Sequence, residues 1–410
     1  MPADALKCKE CQTTYPLEAR FVCERCFGPL EVSYSRPEGD PPALKRRIQA
    51  GPHTLWRYAD FLPLEGAPRS ALPTGWTPLV RADRLAARLG LGELWIKNET
   101  ANPTHSFKDR VVSVALARAQ ELGFDTVACA STGNLANAVA AHAAAAGLPS
   151  YVFIPADLEQ EKILATGAYG TQIVAIRGNY DAVNRLCTQV SDDREGWAFV
   201  NINVRPYYAE GSKTLAFETV EQLGWELPDR VVGPIASGSL FTKVARGFQD
   251  FIDAGLLAGD LPVMCGAQAE GCSPVATAFA NGTDVCKPVK PDTIAKSLAI
   301  GNPADGPYAI ELARRTEGGI DAVTDDEIRA GIRLLAETTG IFTETAGGVT
   351  TATLAKLAER GDIDPEERVV LIITGEGLKT LDAVREGFAM HEIEPTLASF
   401  TAALPDAVHA

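Results

Sequence analysis

Residues 102–110 read NPTHSFKDR, follow a short apolar run that predicts a strand, and open a helical pattern at residues 106–122. Ser106 is a residue type that caps helix N-termini well, and Asp109 stands where a shortened capping box would place its acid. Lys108 is therefore predicted in the first helical turn, beside unpaired N–H groups and the positive end of the helix dipole. Such surroundings disfavour an ammonium and suit an amine that forms an imine, although most lysines at helix starts are simply solvated.

The alternation of short apolar runs and helical patterns continues along the chain. Runs of five or six aliphatic and β-branched residues between helices indicate parallel sheets covered on both faces, and so an α/β fold. Strands are predicted at residues 93–97, 126–130, 150–154, 171–176, 231–235, 261–267 and 368–373, and a further helix at 134–146. The predicted units are a cysteine module at 1–35, an arm at 36–104 that also joins the large domain, a small α/β domain at 105–210, a large α/β domain at 211–390, and a tail at 391–410.

Three predicted strands end in small-residue turns that open helices: ASTGN at residues 130–134, ASGS at 236–239 and TGEG at 374–377. In a parallel sheet such turns gather at the carboxyl ends of the strands, where ligands bind. Free backbone N–H groups and the positive helix dipole suit them to a phosphate group. One turn would be a weak signal, but three turns together with the lysine motif predict a ligand site at this edge.

Nine cysteines are present, and four of them form two knuckles, Cys8-x-x-Cys11 and Cys23-x-x-Cys26. Two such knuckles supply the four thiolates of a tetrahedral structural zinc site. Because a site with four protein ligands has no open position, we expect it to serve structure and not catalysis. The alternative is a module that holds four reduced thiols without a metal.

Acidic residues outnumber basic ones by 53 to 38, which gives a formal net charge of −15 over 410 residues. A surface of that sign repels nucleic acid and anionic lipid, so neither is expected as a partner. The longest strictly aliphatic stretches have about five residues, far short of the roughly 20 that span a bilayer. The N-terminus carries charged residues where an export signal needs an apolar run. We therefore expect a cytoplasmic protein without a membrane segment.

The pattern N-P-T-x-S-F-K-D-R resembles the lysine motif of threonine synthases, a group within the tryptophan-synthase-β-like family of pyridoxal-phosphate enzymes. Other segments are similar to further motifs of that group: residues 131–134, 210–214, 300–304, 342–348 and 373–379. The group also includes members with an N-terminal cysteine module. The resemblance implies fold type II, with two parallel-sheet α/β domains, a small zinc-ribbon-like module and commonly a homodimer.

The resemblance also implies which residues hold the cofactor, pyridoxal 5'-phosphate. Lys108 would form the Schiff base with it, Asn134 would hydrogen-bond its phenolic oxygen, and Thr374 would face its pyridine nitrogen. The phosphate of the cofactor would bind the loop formed by Ala236, Ser237, Gly238, Ser239 and Leu240.

The activity that the resemblance implies is the conversion of O-phospho-L-homoserine and water to L-threonine and phosphate, by γ-elimination and β-replacement. The candidate residues for binding the substrate are Ser131, Arg205 and Lys213, although an ordinary surface ion pair explains Arg205 equally well. Two positions depart from the commonest pattern: His105 stands where glycine is frequent, and Leu135 stands where many relatives carry threonine.

Three alternatives stay open at this point. Cysteate synthase, which uses O-phosphoserine and sulfite, resembles threonine synthase nearly throughout. A threonine or serine dehydratase would usually carry four consecutive glycines in its phosphate loop, whereas residues 236–239 contain one. The non-enzyme alternative is a zinc-ribbon binding protein with an inactive enzyme body, and the presence of Lys108, Asn134 and Thr374 argues against it.

Overall fold

The computed structural model describes residues 3–35, 40–66, 72–131, 133–156, 160–178, 180–385, 388 and 390–404. Within these ranges the chain forms three sheets, of three, six and four strands. Helices pack against the two larger sheets, which confirms the predicted α/β class with parallel sheets. No helix in these ranges is long and apolar enough to cross a membrane.

The strands, numbered in chain order, are β1 Ala3–Cys8, β2 Thr14–Tyr15, β3 Leu30–Tyr34, β4 Leu79–Arg81, β5 Glu93–Asn98, β6 Thr126–Ala130, β7 Ser150–Pro155, β8 Gln172–Ile176, β9 Trp197–Phe199, β10 Arg230–Pro234, β11 Val263–Ala269, β12 Ile320–Val323 and β13 Arg368–Ile373. The helices are α1 Pro41–Gln49, α2 Asp83–Leu89, α3 Lys108–Glu121, α4 Asn134–Ala146, α5 Gln160–Gly167, α6 Tyr180–Asp193, α7 Arg205–Glu210, α8 Lys213–Gln222, α9 Ser239–Asp253, α10 Pro274–Ala280, α11 Gly306–Arg315, α12 Asp325–Thr339, α13 Thr345–Glu359 and α14 Leu397–Ala403. Short 3-10 helices span Leu55–Phe61, Glu99–Ala101, Lys296–Leu298 and Gly377–Val384.

The three-stranded sheet is antiparallel, has the order β2-β1-β3, and builds the N-terminal cysteine module. Leu6, Leu30 and Val32 from its two longer strands are buried. They belong to the same apolar cluster as residues from the rest of the chain, such as Phe241 and Phe248 of α9. The module therefore packs on the rest of the chain instead of standing apart from it.

The six-stranded sheet has the order β12-β11-β10-β13-β5-β4, and every neighbouring pair is parallel except β4 with β5. Its central strand β13 reads RVVLII, and five of its six residues are buried because helices cover both faces. The strand predicted at 368–373 coincides with β13. In contrast, β11 begins at Val263, two residues later than predicted, after Pro262, which has no N–H to donate to the ladder.

The four-stranded sheet has the order β8-β7-β6-β9 and is parallel throughout. All five residues of β6 are buried, and the chain passes from this strand through a short turn into α4. The helix predicted at residues 134–146 coincides with α4, which ends at Gly147 in the left-handed conformation that favours glycine. The turn after β6 thus directs the first residue of α4 toward the end of the six-stranded sheet.

Candidate active site

A cleft of about 650 Å³, including its open mouth, lies where the carboxyl ends of the two larger sheets approach each other. Its lining includes Lys108, Asn134, Thr374 and residues 236–240. The structure therefore brings together all the residues that the sequence analysis assigned to the cofactor.

Lys108 opens α3, and its half-buried side chain lines the cleft. Its Nζ lies 5.6 Å from the ring centroid of Phe107 and 5.9 Å from that of Tyr208. Within the described ranges no hydrogen bond or ion pair engages this amine, so it is available to a ligand in the cleft.

The start of α3 is held by the turn after β13 and not by a side-chain cap. The N–H of Phe107 donates to the carbonyl of Thr374 at 2.8 Å, and the N–H of Glu376 donates to the carbonyl of His105 at 3.1 Å. Ser106 is buried, its hydroxyl has no partner in the described structure, and Phe107 occupies the N-cap position. The predicted Ser106 cap is therefore wrong, because pairing with a segment distant in sequence has replaced the local cap.

Asp109 does not form the predicted capping box, because its carboxylate turns toward the preceding loop. It accepts hydrogen bonds from the N–H of Thr104 at 2.8 Å and from the hydroxyl of Thr104 at 2.9 Å. Its Oδ1 also lies 2.9 Å from Nε2 of His142, whose Nδ1 lies 3.4 Å from the hydroxyl of Ser113. These side chains are all buried, and their contacts fix the loop that leads into Lys108.

Asn134, the first residue of α4, contacts two charged side chains: Glu344, directly before α13, and Lys379, in the 3-10 helix that follows β13. Its Nδ2 donates to both carboxylate oxygens of Glu344 at 3.0 Å, and its Oδ1 accepts from Nζ of Lys379 at 2.8 Å. Burial raises the pKa of the Glu344 carboxyl, against the opposing effects of Asn134, Lys379 and Lys108. Burial likewise lowers the pKa of Lys379, against the carboxylate of Glu344. The cleft is thus bordered by a buried polar cluster.

Glu344 and Lys379 had no predicted role, although they lie within the motifs at residues 342–348 and 373–379. Glu344 lies in a run of threonines and small residues directly before α13, and Lys379 follows the turn at residues 374–377. A charged side chain beside a glycine-rich, buried segment needs a partner from elsewhere in the chain. That requirement is the signal that could have drawn attention to both residues.

The loop between β10 and α9 has the form of a phosphate-binding turn. Gly238 is the N-cap of α9 and has a φ of 97°, a left-handed conformation that favours glycine. A Cβ at this position would lie 2.6 Å from the carbonyl oxygen of Asp305 and would collide with it. Gly238 has no side chain to cap α9, and the N–H of Ser239 donates to the hydroxyl of Ser237 at 3.4 Å. The N–H groups of Leu240 and Phe241 have no partner among the described residues and remain for a ligand. This donor set fits the phosphate of pyridoxal phosphate.

Thr374 follows β13 directly and lines the cleft although only 8% of it is exposed. Its carbonyl holds the start of α3, as described above. In the part of the chain that the structure describes, its hydroxyl makes no hydrogen bond, so it is left for a ligand.

Ser131 lies in the turn after β6, half-buried, and its hydroxyl accepts a hydrogen bond from the N–H of Gly133 at 3.4 Å. It stands three residues before Asn134 but is not among the residues that line the cleft.

The other two candidate substrate ligands lie outside the cleft. Lys213 is fully buried, and its Nζ contacts Glu210 at 2.7 Å and Asp250 at 2.8 Å. Nη2 of Arg205 contacts Oδ2 of Asp305 at 2.9 Å, beside the cysteine module. Both cations are committed to ion pairs within the protein, so we withdraw them as substrate ligands.

The four cysteines of the module converge on one point. Their Sγ atoms all lie within 4.8 Å of one another, with Cys8 and Cys26 at 3.4 Å and Cys11 and Cys23 at 3.6 Å. A tetrahedral zinc site with bonds of about 2.3 Å places its sulfurs roughly 3.8 Å apart. The donor set therefore fits one zinc ion and leaves no position for a substrate.

Comparisons with known proteins show which family the chain resembles. A family model described as pyridoxal-phosphate dependent enzyme matches residues 71–375. The chain is 38% identical to the threonine synthase of Methanocaldococcus jannaschii over 92% of this chain and 93% of that protein. It is also 38% identical to the threonine synthase of Halalkalibacterium halodurans, over 79% and 89% of the two chains. The solved structure of a fungal L-serine ammonia-lyase from Rhizomucor miehei covers 76% of this chain and 98% of its own, with a TM-score of 0.63 and 22% identity.

The fold, the cleft and the family match together define the class: the chain belongs to the pyridoxal-phosphate-dependent enzymes of fold type II. The likeness to the solved structure supports the fold alone, because the identity is low. Within the family, the chain belongs with the threonine synthases, which it matches over nearly its whole length.

Proposed function

We propose that this chain is a threonine synthase, a pyridoxal-phosphate-dependent lyase that converts O-phospho-L-homoserine and water to L-threonine and inorganic phosphate. The observation that carries the proposal is the convergence of Lys108, Asn134, Thr374 and the loop at residues 236–240 on one cleft. Curated relatives that are 38% identical over most of the chain support the same activity.

The residues of the cleft would hold pyridoxal phosphate in one orientation. Lys108 would bind its aldehyde carbon, Asn134 would donate to its phenolic oxygen, and Thr374 would face its pyridine nitrogen. The N–H groups of residues 236–240 would hold its phosphate at the positive end of α9. When bound, the cofactor supplies an electron sink for the charge that develops beside the substrate amine.

Lys108 is the group that we propose to move protons. The substrate loses protons at Cα and Cβ and releases phosphate from Cγ; Cγ gains a proton, water supplies the hydroxyl at Cβ, and a proton returns to Cα. An amine at the start of a helix that lines the cleft would stay close to all three carbons and could act as general acid and base. Proton transfer by such a positioned group contributes about 10²–10⁴-fold to the rate.

Thr374 suits this chemistry because it offers a hydroxyl and not a carboxylate. A carboxylate would favour a protonated pyridine nitrogen, whereas a hydroxyl leaves that nitrogen largely neutral. A neutral ring moderates the electron sink, and a moderated sink is sufficient for elimination and replacement reactions.

Ser131 remains our proposed contact with the substrate. It stands at the carboxyl end of β6, the same edge of the sheet from which Asn134 enters the cleft. A substrate bound against Lys108 would extend toward this turn, where the hydroxyl could donate to a carboxylate or phosphate oxygen.

We also propose one structural zinc ion, a homodimer and a cytoplasmic location. The four convergent cysteines support the zinc ion. Leu378 and Leu381, which are 67% and 53% exposed on the 3-10 helix Gly377–Val384, support an apolar contact with a second copy. Nine free cysteines suit a reducing compartment.

The test is product analysis with the purified protein and added pyridoxal phosphate. We expect phosphate release from O-phospho-L-homoserine with equimolar L-threonine, and loss of both products in Lys108→Ala. O-phospho-L-serine with sulfite is the matched control substrate. If phosphate is released only from that control, the chain is a cysteate synthase and the proposal is overturned.

A further inference from the structure

The cysteine module reaches the enzyme body through a residue inside its first knuckle, directly after Cys8. Nζ of Lys9 lies 3.7 Å from Oδ1 of Asp305 and 3.4 Å from the ring centroid of Tyr308. The hydroxyl of Tyr308 in turn donates to the carboxylate of Glu10. Two consecutive residues beside Cys8 thus contact the start of α11.

Asp305, the N-cap residue of α11, also touches the candidate phosphate loop through its backbone. Its N–H donates to the carbonyl of Ser237 at 2.8 Å. Its carbonyl oxygen packs so closely on Gly238 that a Cβ there would lie 2.6 Å away. Any shift of the backbone at Asp305 would therefore move both loop residues.

The carboxylate of Asp305 is what anchors this backbone. The side chain is 11% exposed and lies between Lys9 and Arg205, whose Nη2 is 2.9 Å from Oδ2. No side-chain cap links Asp305 to its own helix. Its carboxylate is therefore held by two cations, one of which belongs to the cysteine module.

The module also contacts the helix that follows the loop. Nζ of Lys243 on α9 lies 3.3 Å from Glu31 and 2.6 Å from Glu210. The hydroxyl of Tyr34 on β3 donates to the same Glu210 at 2.6 Å. The module thus contacts both Asp305, which packs on the loop, and α9, into which the loop runs.

From these contacts we propose that Lys9 and Asp305 are positioning residues through which the cysteine module holds the phosphate loop in its cofactor-binding shape. The proposal rests on the proposed function, because it assumes that the loop binds the phosphate of pyridoxal phosphate. It goes beyond that function by giving the module a second task, the support of cofactor affinity. The chain of contacts runs from the Cys8 knuckle through Lys9 and Asp305 to Gly238.

The central measurement is the dissociation constant of pyridoxal phosphate for the full-length apoenzyme. It is obtained by titration, with the visible absorption of the bound cofactor as the signal. Lys9→Gln should weaken binding by roughly three- to tenfold, the scale of one partly buried ion pair. Lys9→Arg should restore it, and Lys7→Gln, two residues earlier near the end of β1, is the matched control. At saturating cofactor, kcat of Lys9→Gln should remain near that of the wild type, since Lys9 does not line the cleft.

Asp305→Asn tests the other end of the contact, because it keeps the shape of the side chain and removes its charge. We expect weaker cofactor binding again, and no further loss when Lys9→Gln is added to Asp305→Asn, since Asp305→Asn already breaks the contact with Lys9 as well as that with Arg205. Coupling between two sites is reciprocal in binding free energy, so bound cofactor should also raise the equilibrium affinity of the module for zinc, measured by competition with a chelator, in the wild type but not in Lys9→Gln.

Equal dissociation constants for the wild type, Lys9→Gln and Asp305→Asn would overturn the inference, as would equal losses in Lys9→Gln and Lys7→Gln. These outcomes are separate from failure of the proposed function, in which the wild type itself would bind no pyridoxal phosphate or form no L-threonine.

Discussion

Nδ2 of Asn134 donates to both carboxylate oxygens of Glu344 at 3.0 Å, across 210 positions of sequence, and joins the helix after β6 to the segment before α13. The amide that we assign to the phenolic oxygen of the cofactor is therefore already oriented by a buried carboxyl. Glu344 acts on the cofactor through Asn134 and is a positioning residue in the proposed site.

Glu344→Gln tests this relationship through its dependence on pH. Because burial raises the pKa of Glu344, its stability contribution is full below the usual carboxyl pKa of about 4.3 and declines as the pH rises through the folded value. The variant stays neutral, so at pH 7 it should be at least as stable as the wild type, and the difference should vanish in acid. Urea unfolding across pH 4–8 measures this, and the visible spectrum of the cofactor should shift because Asn134 loses one acceptor. If the free energy of unfolding of Glu344→Gln, compared with that of the wild type, were lower at pH 7 than at pH 4, the pKa of Glu344 would not be raised.

Lys108→Ala should abolish covalent attachment of the cofactor. Borohydride reduction of the holoenzyme followed by peptide mass spectrometry should place the label on Lys108 in the wild type and on no residue in the variant. Turnover should fall by about 10³-fold or more, since both the attachment point and the general acid/base are removed. A label that persists on another lysine would show that the assignment is wrong.

Thr374 can be tested by two substitutions that differ in charge. Thr374→Ser keeps a hydroxyl at the end of β13 and should change kcat by only a few-fold. Thr374→Asp places a carboxylate against the pyridine nitrogen and should lower threonine formation by at least about 10²-fold, with a shifted cofactor spectrum and little change in thermal stability. Near wild-type turnover in Thr374→Asp would mean that the residue does not face the cofactor.

Glu210 should make the protein sensitive to acid. Burial alone would raise the pKa of this carboxyl, but Lys213 and Lys243 lower it to about 2. A carboxyl with a lowered folded pKa adds stability above its unfolded value, about 4.3, and loses that contribution as the pH falls toward 2. Glu210→Gln should cost about 3 kcal/mol at pH 7, because Lys213 and Lys243 each lose one of their two carboxylate partners. The free energy of unfolding of the variant should also fall less steeply than that of the wild type between about pH 5 and 2.

Denaturant titrations at several pH values measure the free energy of unfolding for this test. Glu226→Gln is the matched control, since Glu226 is an exposed partner of Arg368 and such a pair contributes about 0–1 kcal/mol. If Glu210→Gln and Glu226→Gln lower the free energy of unfolding at pH 7 by the same amount, Glu210 contributes no more to stability than an exposed ion pair.

Cys11→Ser should remove the metal from the cysteine module. Metal analysis of protein prepared without chelators should give about one zinc per chain for the wild type and far less for the variant, because a tetrahedral site loses one of its four ligands. Cys286→Ser, a half-buried cysteine outside the module, is the control and should keep its zinc. Wild-type protein that contains well under one zinc per chain would remove the metal from the proposal.

The fold could be predicted to a large extent from local patterns. The strands at residues 126–130 and 368–373 coincide with β6 and β13, because central parallel strands are buried on both faces and their apolar runs are unambiguous. The start of α3 could not be predicted from local patterns, because Ser106 pairs with Gly375 and the helix begins two residues later, at Lys108.

The sequence by itself determined which residue types could perform the chemistry: a lysine at a helix start, glycine-containing turns after parallel strands, and two cysteine knuckles. These signals are local, since each depends on residues within a few positions of one another. Only the tertiary structure decided which charged groups face the cleft. Lys213 and Arg205 are equally plausible anion ligands in sequence, but Asp250 and Asp305 neutralise them. A buried charged group is stable only beside a group of opposite charge or a hydrogen-bonding partner, and those partners come from distant parts of the chain.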